Sequence, residues 1–126
     1  MSASREFIKL SRNKREQKGH AQLNSIEFVN DGYYIIYLPS LNLSAYGKNH
    51  AEALYMMDKV VMPDFFKNLL DLSDREIIEE LSKFGWEKSQ FFKLELSKAA
   101  HIDKEGILRD FELSEDTLLT EGLVTV

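Results

Sequence analysis

The chain has no cysteine among its 126 residues. That excludes disulfide bridges, thiolate nucleophiles and zinc–thiolate sites, and it fits a reducing compartment. The longest apolar run, Tyr33 to Leu38, is far too short to span a bilayer, and residues 1–20 lack the apolar centre of a signal peptide. A cytoplasmic protein with no membrane partner is the expectation. No Gly-rich phosphate loop and no nucleophile elbow is present. His20, His50 and His101 lie 30 and 51 positions apart, which is no metal-ligand spacing. Glu79 and Glu80 are adjacent and splay apart on a helix, so they do not form an acid–base pair. Asp103 and Glu105 read as turn chemistry, since a hard cation needs more oxygen ligands than they supply. No catalytic residue, metal or cofactor is expected, and the chain reads as a non-enzyme.

What is present is an ordinary globular composition, 44% hydrophobic and 29% charged, long enough for one domain. The charge is unevenly spread. Residues 1–20 hold six basic side chains against two acidic, a net of +4, while the other 106 hold ten against nineteen, a net of −9. The expected organisation is a basic N-terminal arm, 1–22, followed by a single domain, 23–126, in which 73–126 extends a unit of 23–72. The apolar cluster Phe7, Ile8 and Leu10 suits an edge strand or a loose segment.

The richest stretch runs from Asp31 to Leu54. Asp31-Gly32 between two β-branched and aromatic runs is a strong hairpin signal, because glycine takes positive φ freely. Before it, Ile26 and Phe28 alternate with Ser25 and Glu27 in a strand over Leu23 to Val29. After it, Tyr33 to Leu38 is apolar on both faces, as in a central strand with a helix layer on one side and loops or a partner subunit on the other. Pro39 ends that strand because it cannot donate a ladder hydrogen bond. Leu41, Leu43 and Ala45 form a third strand that stops at Gly47. Asn49 with Glu52 opens a helix whose stripe is Ala53, Leu54, Met57, Val60 and Val61. Pro63 predicts a kink there, or a new helix starting at the proline. Ser73 with Glu76 caps a second helix that ends at Gly85. Gln90 to Leu96 reads as a fourth strand, Asp103 to Gly106 as a turn, and Leu118 to Val126 as a last strand. The fold class is α+β: a three-stranded antiparallel sheet packed by a helix, extended by a second helix and C-terminal strands.

Residues 31–54 resemble the HicB-like antitoxin family in the Asp31-Gly32 turn, the aromatic strand Tyr33 to Leu38, the Pro39 and Leu41 corner, the closing Gly47 and the helix opening Glu52-Ala53-Leu54. The order of elements follows that family from Leu23 to Leu70. The resemblance implies a small domain that binds and masks a toxin ribonuclease, with a separate DNA-binding segment for repression. Residues 74–126 do not read as such a segment. Ser73 to Trp86 faintly resembles part of the partner toxin, yet residues 87–96 lack the histidine that family requires.

The functional expectation is a non-catalytic protein-interaction module with a small protein partner or a second copy as a homodimer. Tyr33, Tyr37 and Tyr46 are the candidate interface residues, because tyrosine joins a large apolar body to a hydroxyl suited to a rim. The alternative is RNA binding through Arg12, Lys14, Arg15 and Lys18 with the tyrosine face as a stacking platform. Against it stand the acidic body and the absence of lysine and arginine from Tyr33 to Leu38.

Overall fold

The computed structural model of the chain describes residues 5–13, 16–99 and 102–126. Its architecture is α+β. Seven antiparallel strands form one sheet: β1 (Glu6–Arg12), β2 (Gln17–Asn30), β3 (Tyr33–Leu38), β4 (Leu43–Gly47), β5 (Glu87–Lys88), β6 (Glu95–Lys98) and β7 (Thr120–Thr125). The helices are α1 (His50–Met56), α2 (Met62–Leu70), α3 (Asp74–Ser82) and α4 (Lys104–Asp110), and a π-helical turn, Met57–Val61, joins the first two.

The longest strand, β2, pairs with three others. Gln22 lies opposite both Phe7 and Thr125, and Ile26 opposite both Tyr37 and Glu121. A strand has two edges, so β7 occupies one and β1 and β3 follow each other along the second. β6 and β5 extend the β1 wing, and β4 extends the β3 wing. Leu23 to Ser25 pair only on the β7 edge. In that gap a buried backbone donor needs a partner from outside the ladder. Glu6 provides it: Oε2 accepts from the Asn24 N–H at 3.0 Å, while Oε1 accepts from the Ser40 hydroxyl. The Ser40 carbonyl accepts from Trp86 Nε1 at 3.1 Å, and Glu6, Asn24, Ser40 and Trp86 are all buried.

The residues read from sequence as a basic arm therefore begin inside the sheet. β1 lies between β2 and β6, and its Ile8 and Leu10 belong to the main core. The hairpin expected at Asp31-Gly32 is present, with φ of 51° and 80°, as a type I′ turn demands. Alternation along β3 sends Ile36 and Leu38 into the main core, while Ile35 and Tyr37 pack against a second, smaller cluster. At Gly47 a Cβ would come 2.6 Å from the Ala53 nitrogen, so only glycine lets α1 fold back so closely.

The helical layer covers one face. Asn49 Oδ1 caps α1 by accepting from the Glu52 N–H at 2.9 Å. As expected of a helix starting at the proline, Pro63 lies in the first turn of α2, directly after the π-helical turn. The Met62 N–H bonds to the Met57 carbonyl five residues back, and this wider turn carries the helix through the proline. Ser73 and Glu76 form the reciprocal capping box, at 3.2 and 3.1 Å. Of the expected α1 stripe, Ala53 and Met57 are fully buried, whereas Leu54 and Val60 are 42% and 47% exposed.

Leu41, expected in the third strand, lies in the turn before β4, and two further segments differ from the sequence reading. The strand expected over 90–96 is replaced by β5 and β6 around a turn, because Ser89 Oγ accepts from the Phe91 and Phe92 N–H groups and lifts both rings out of the ladder. The turn expected at 103–106 starts α4, since Asp103 Oδ1 accepts from the Gly106 N–H at 3.0 Å; Gly106 in a first helical turn mimics a turn signal. With Phe111, α4 covers Ile26, Phe28 and Tyr37, so the second face of β3 is closed by the chain itself.

Glu6→Ala removes the acceptor from a buried backbone donor and is expected to cost about 2–3 kcal/mol. Ser73→Ala removes an exposed cap and is expected to cost about 1 kcal/mol. Urea denaturation midpoints of the two variants test that order.

Candidate functional site

β7, like β4 and β5, pairs with a neighbouring strand on one edge only. Its bonds to β2 run through alternate residues: Ala21 and Val126 exchange N–H and C=O at 3.1 and 3.0 Å, and the period of two places 124, 122 and 120 in the same role. The N–H and C=O of Glu121, Leu123 and Thr125 therefore point away from β2, and none of them has a backbone partner among the described residues. Beside this edge, a groove of about 530 Å³ runs between α1 and β7, with Leu54, Tyr55, Asp58 and Leu123 on its walls. Leu54, Tyr55 and Leu123 are 42%, 61% and 53% exposed. A row of unpaired backbone groups with an apolar overhang is the arrangement that accepts an added strand.

The tyrosines expected to act together are divided. Tyr33 and Tyr46 form an exposed edge-to-face pair with centroids 5.8 Å apart. Tyr37 packs edge-on against Phe111 at 4.9 Å, donates its hydroxyl to Asn42 Oδ1 at 3.1 Å and has its pKa raised by burial and then by Asp110. It belongs to the second cluster instead of a continuous tyrosine face.

The basic candidates are divided as well. Arg12 Nη2 donates to the Leu70 and Leu72 carbonyls at 3.1 and 2.7 Å, and Nη1 lies 3.4 Å from Asp74, so this side chain ties α2 to α3. Lys18 is 3.4 Å from Glu16. Lys14 and Arg15 lie outside the described residues, as does His101.

On the helix-covered face, Glu27 gathers three polar side chains. Its Oε1 accepts from the Tyr34 hydroxyl at 2.8 Å and lies 3.2 Å from His50 Nε2, while Oε2 accepts from Ser25 Oγ at 3.4 Å. This cluster fastens the first turn of α1 to β2 and β3. Among the described residues no group of His, Asp and Glu could hold a metal ion, and no helix is long and apolar enough to cross a membrane.

No family model, curated protein or solved structure matches this chain. The likeness of residues 31–54 to HicB-like antitoxins accordingly rests on their residue pattern alone. The sequence reading did not single out the β7 edge. Its signal was present in the strand expected over 118–126, which carries neither lysine nor proline to protect an edge.

Burial, then the hydrogen bond and the charge of Glu27, push the Tyr34 phenol up to about 12 from its ordinary 10.0. The fold thus favours the protonated phenol. That contribution is complete below pH 10 and is lost as pH rises through about 12. Tyr34→Phe is expected to flatten this alkaline loss of stability in urea melts collected across that range.

Proposed function

We propose that the protein is a non-catalytic protein-interaction module that takes up a strand of another chain at the edge of β7. One observation carries the reading: the outward N–H and C=O groups of Glu121, Leu123 and Thr125 stand open beside exposed Leu54, Tyr55 and Leu123. Main-chain pairing supplies affinity in such complexes, and the flanking apolar side chains supply the desolvated contacts that hold an added strand. The order of strand, hairpin, strand and helix from β2 to α1 agrees with a partner-masking domain of the HicB-like kind. The Tyr33 and Tyr46 pair is a separate exposed aromatic patch on the β3–β4 side of the sheet.

RNA binding is less well supported. Arg12 is committed to the helix layer, Lys18 and Lys9 lie within 4.0 Å of glutamates, and the chain carries a net charge of −5. A phosphate backbone would meet repulsion over most of the body.

Capture of partners from host lysate with the tagged full chain, with and without nuclease, separates the two readings. Strand addition at β7 is expected to retain its protein partner after nuclease treatment and to lose it in Leu123→Lys. Recovery of nucleic acid that disappears in a Lys9→Glu, Lys18→Glu double variant, with no nuclease-resistant protein, overturns the proposal.

A further inference from the structure

The open edge of β7 complements itself. Its outward residues are Glu121, Leu123 and Thr125, spaced symmetrically about Leu123. In an antiparallel pair centred there, Leu123 faces Leu123 of a second copy and Glu121 faces Thr125 of that copy. Each directly opposed pair exchanges two N–H to C=O bonds.

We propose that the strand taken up at β7 is the β7 of a second copy of this chain, joined about a two-fold axis through Leu123. This inference rests on the strand-addition reading above. Charge favours it. The strand carries one ionic group, Glu121, and Lys104 lies 3.9 Å from that carboxylate within the same copy. The two-fold sets a threonine opposite the carboxylate and keeps the two glutamates apart, so no like charges meet across the ladder. Packing favours it too. An added strand lies about 4.8 Å beyond β7, beneath the overhang formed by Leu54 and Tyr55, and each copy contributes the same overhang to the other. The interface is isologous and closes at two, leaving no further β7 edge for a third copy. At net −5 per chain, salt screens repulsion between copies, so the dimer is held equally or more strongly as salt rises. Binding to nucleic acid moves the opposite way.

Sedimentation of the full chain over a concentration and salt series tests this, using wild type, Leu123→Lys, Leu123→Glu and an equimolar mixture of the two variants. Leu123 is exposed, and the helical circular dichroism of both variants is expected to match wild type, as is their thermal melting at concentrations where wild type is monomeric. The expected result is a wild-type dimer, at least about tenfold weaker association for each variant alone, and recovery of the dimer in the mixture, where lysine faces glutamate. Recovery in the mixture is specific to residue 123 opposing itself. A wild-type chain that stays monomeric overturns the inference, as does a dimer that Leu123→Lys leaves intact. If the monomeric chain still captures a nuclease-resistant protein that Leu123→Lys releases, strand addition stands and only the second copy falls. If it captures none, both fall.

Discussion

A single carboxyl group holds the two halves of the sheet in register. Where β1 ends and β3 has not yet begun, β2 presents a buried N–H at Asn24 with no strand opposite it on that edge, and the Glu6 side chain takes the place of the missing backbone acceptor. Its second oxygen receives the Ser40 hydroxyl from the corner after β3, and the carbonyl of Ser40 receives the indole of Trp86 from the end of the α3 segment. Strand, corner and helix layer thus converge on one buried polar node. In a low-dielectric interior, an unsatisfied member of such a node costs more than any exposed contact elsewhere contributes. The node fixes where one wing stops and the other starts.

The rest of the architecture follows from that division. The β3–β4 wing is covered by α1 on one side and, over Ile35 and Tyr37, by α4 with Phe111 on the other, leaving the Tyr33–Tyr46 pair exposed. The β1–β6 wing is packed on one face by the helix layer, with Arg12 binding the end of α2 to the start of α3. β7 bridges the wings along the opposite edge of β2 and is itself bordered by solvent. The sheet's hydrogen bonding is satisfied where the wings meet and incomplete at its outer strands β4, β5 and β7. The proposed strand addition uses one of these incomplete edges.

Surface charge supports the same conclusion. Among the described basic residues of the first twenty, Arg12 spans two helices, and Lys9 and Lys18 lie beside glutamates. What the body offers at β7 is apolar side chain and free backbone, with Glu121 3.9 Å from Lys104 on the strand and Asp58 on the groove wall. The proposed recognition there would depend on shape and main-chain pairing more than on charge.

Several features were legible in the sequence because local chemistry decides them. Asp31-Gly32 forms its turn through positive φ, Ser73 and Glu76 cap a helix through contacts three residues apart, and the alternation over Tyr33 to Leu38 assigns each side chain to a face. Other features depended on residues distant in the chain. The N-terminal segment looked like an arm because its strand is short and half polar; it becomes interior only when β6, ninety residues on, pairs with it. The burial of Glu6 needs Asn24, Ser40 and Trp86 brought to one point, and the separation of Tyr37 from Tyr33 and Tyr46 needs Phe111 laid across β3. The sequence by itself determined the Asp31-Gly32 turn, the caps of α1 and α3 and the faces of the central strands, all interactions within a few residues. Tertiary structure alone decided which edge of the sheet stays open, because an edge is defined by the strand that does not arrive.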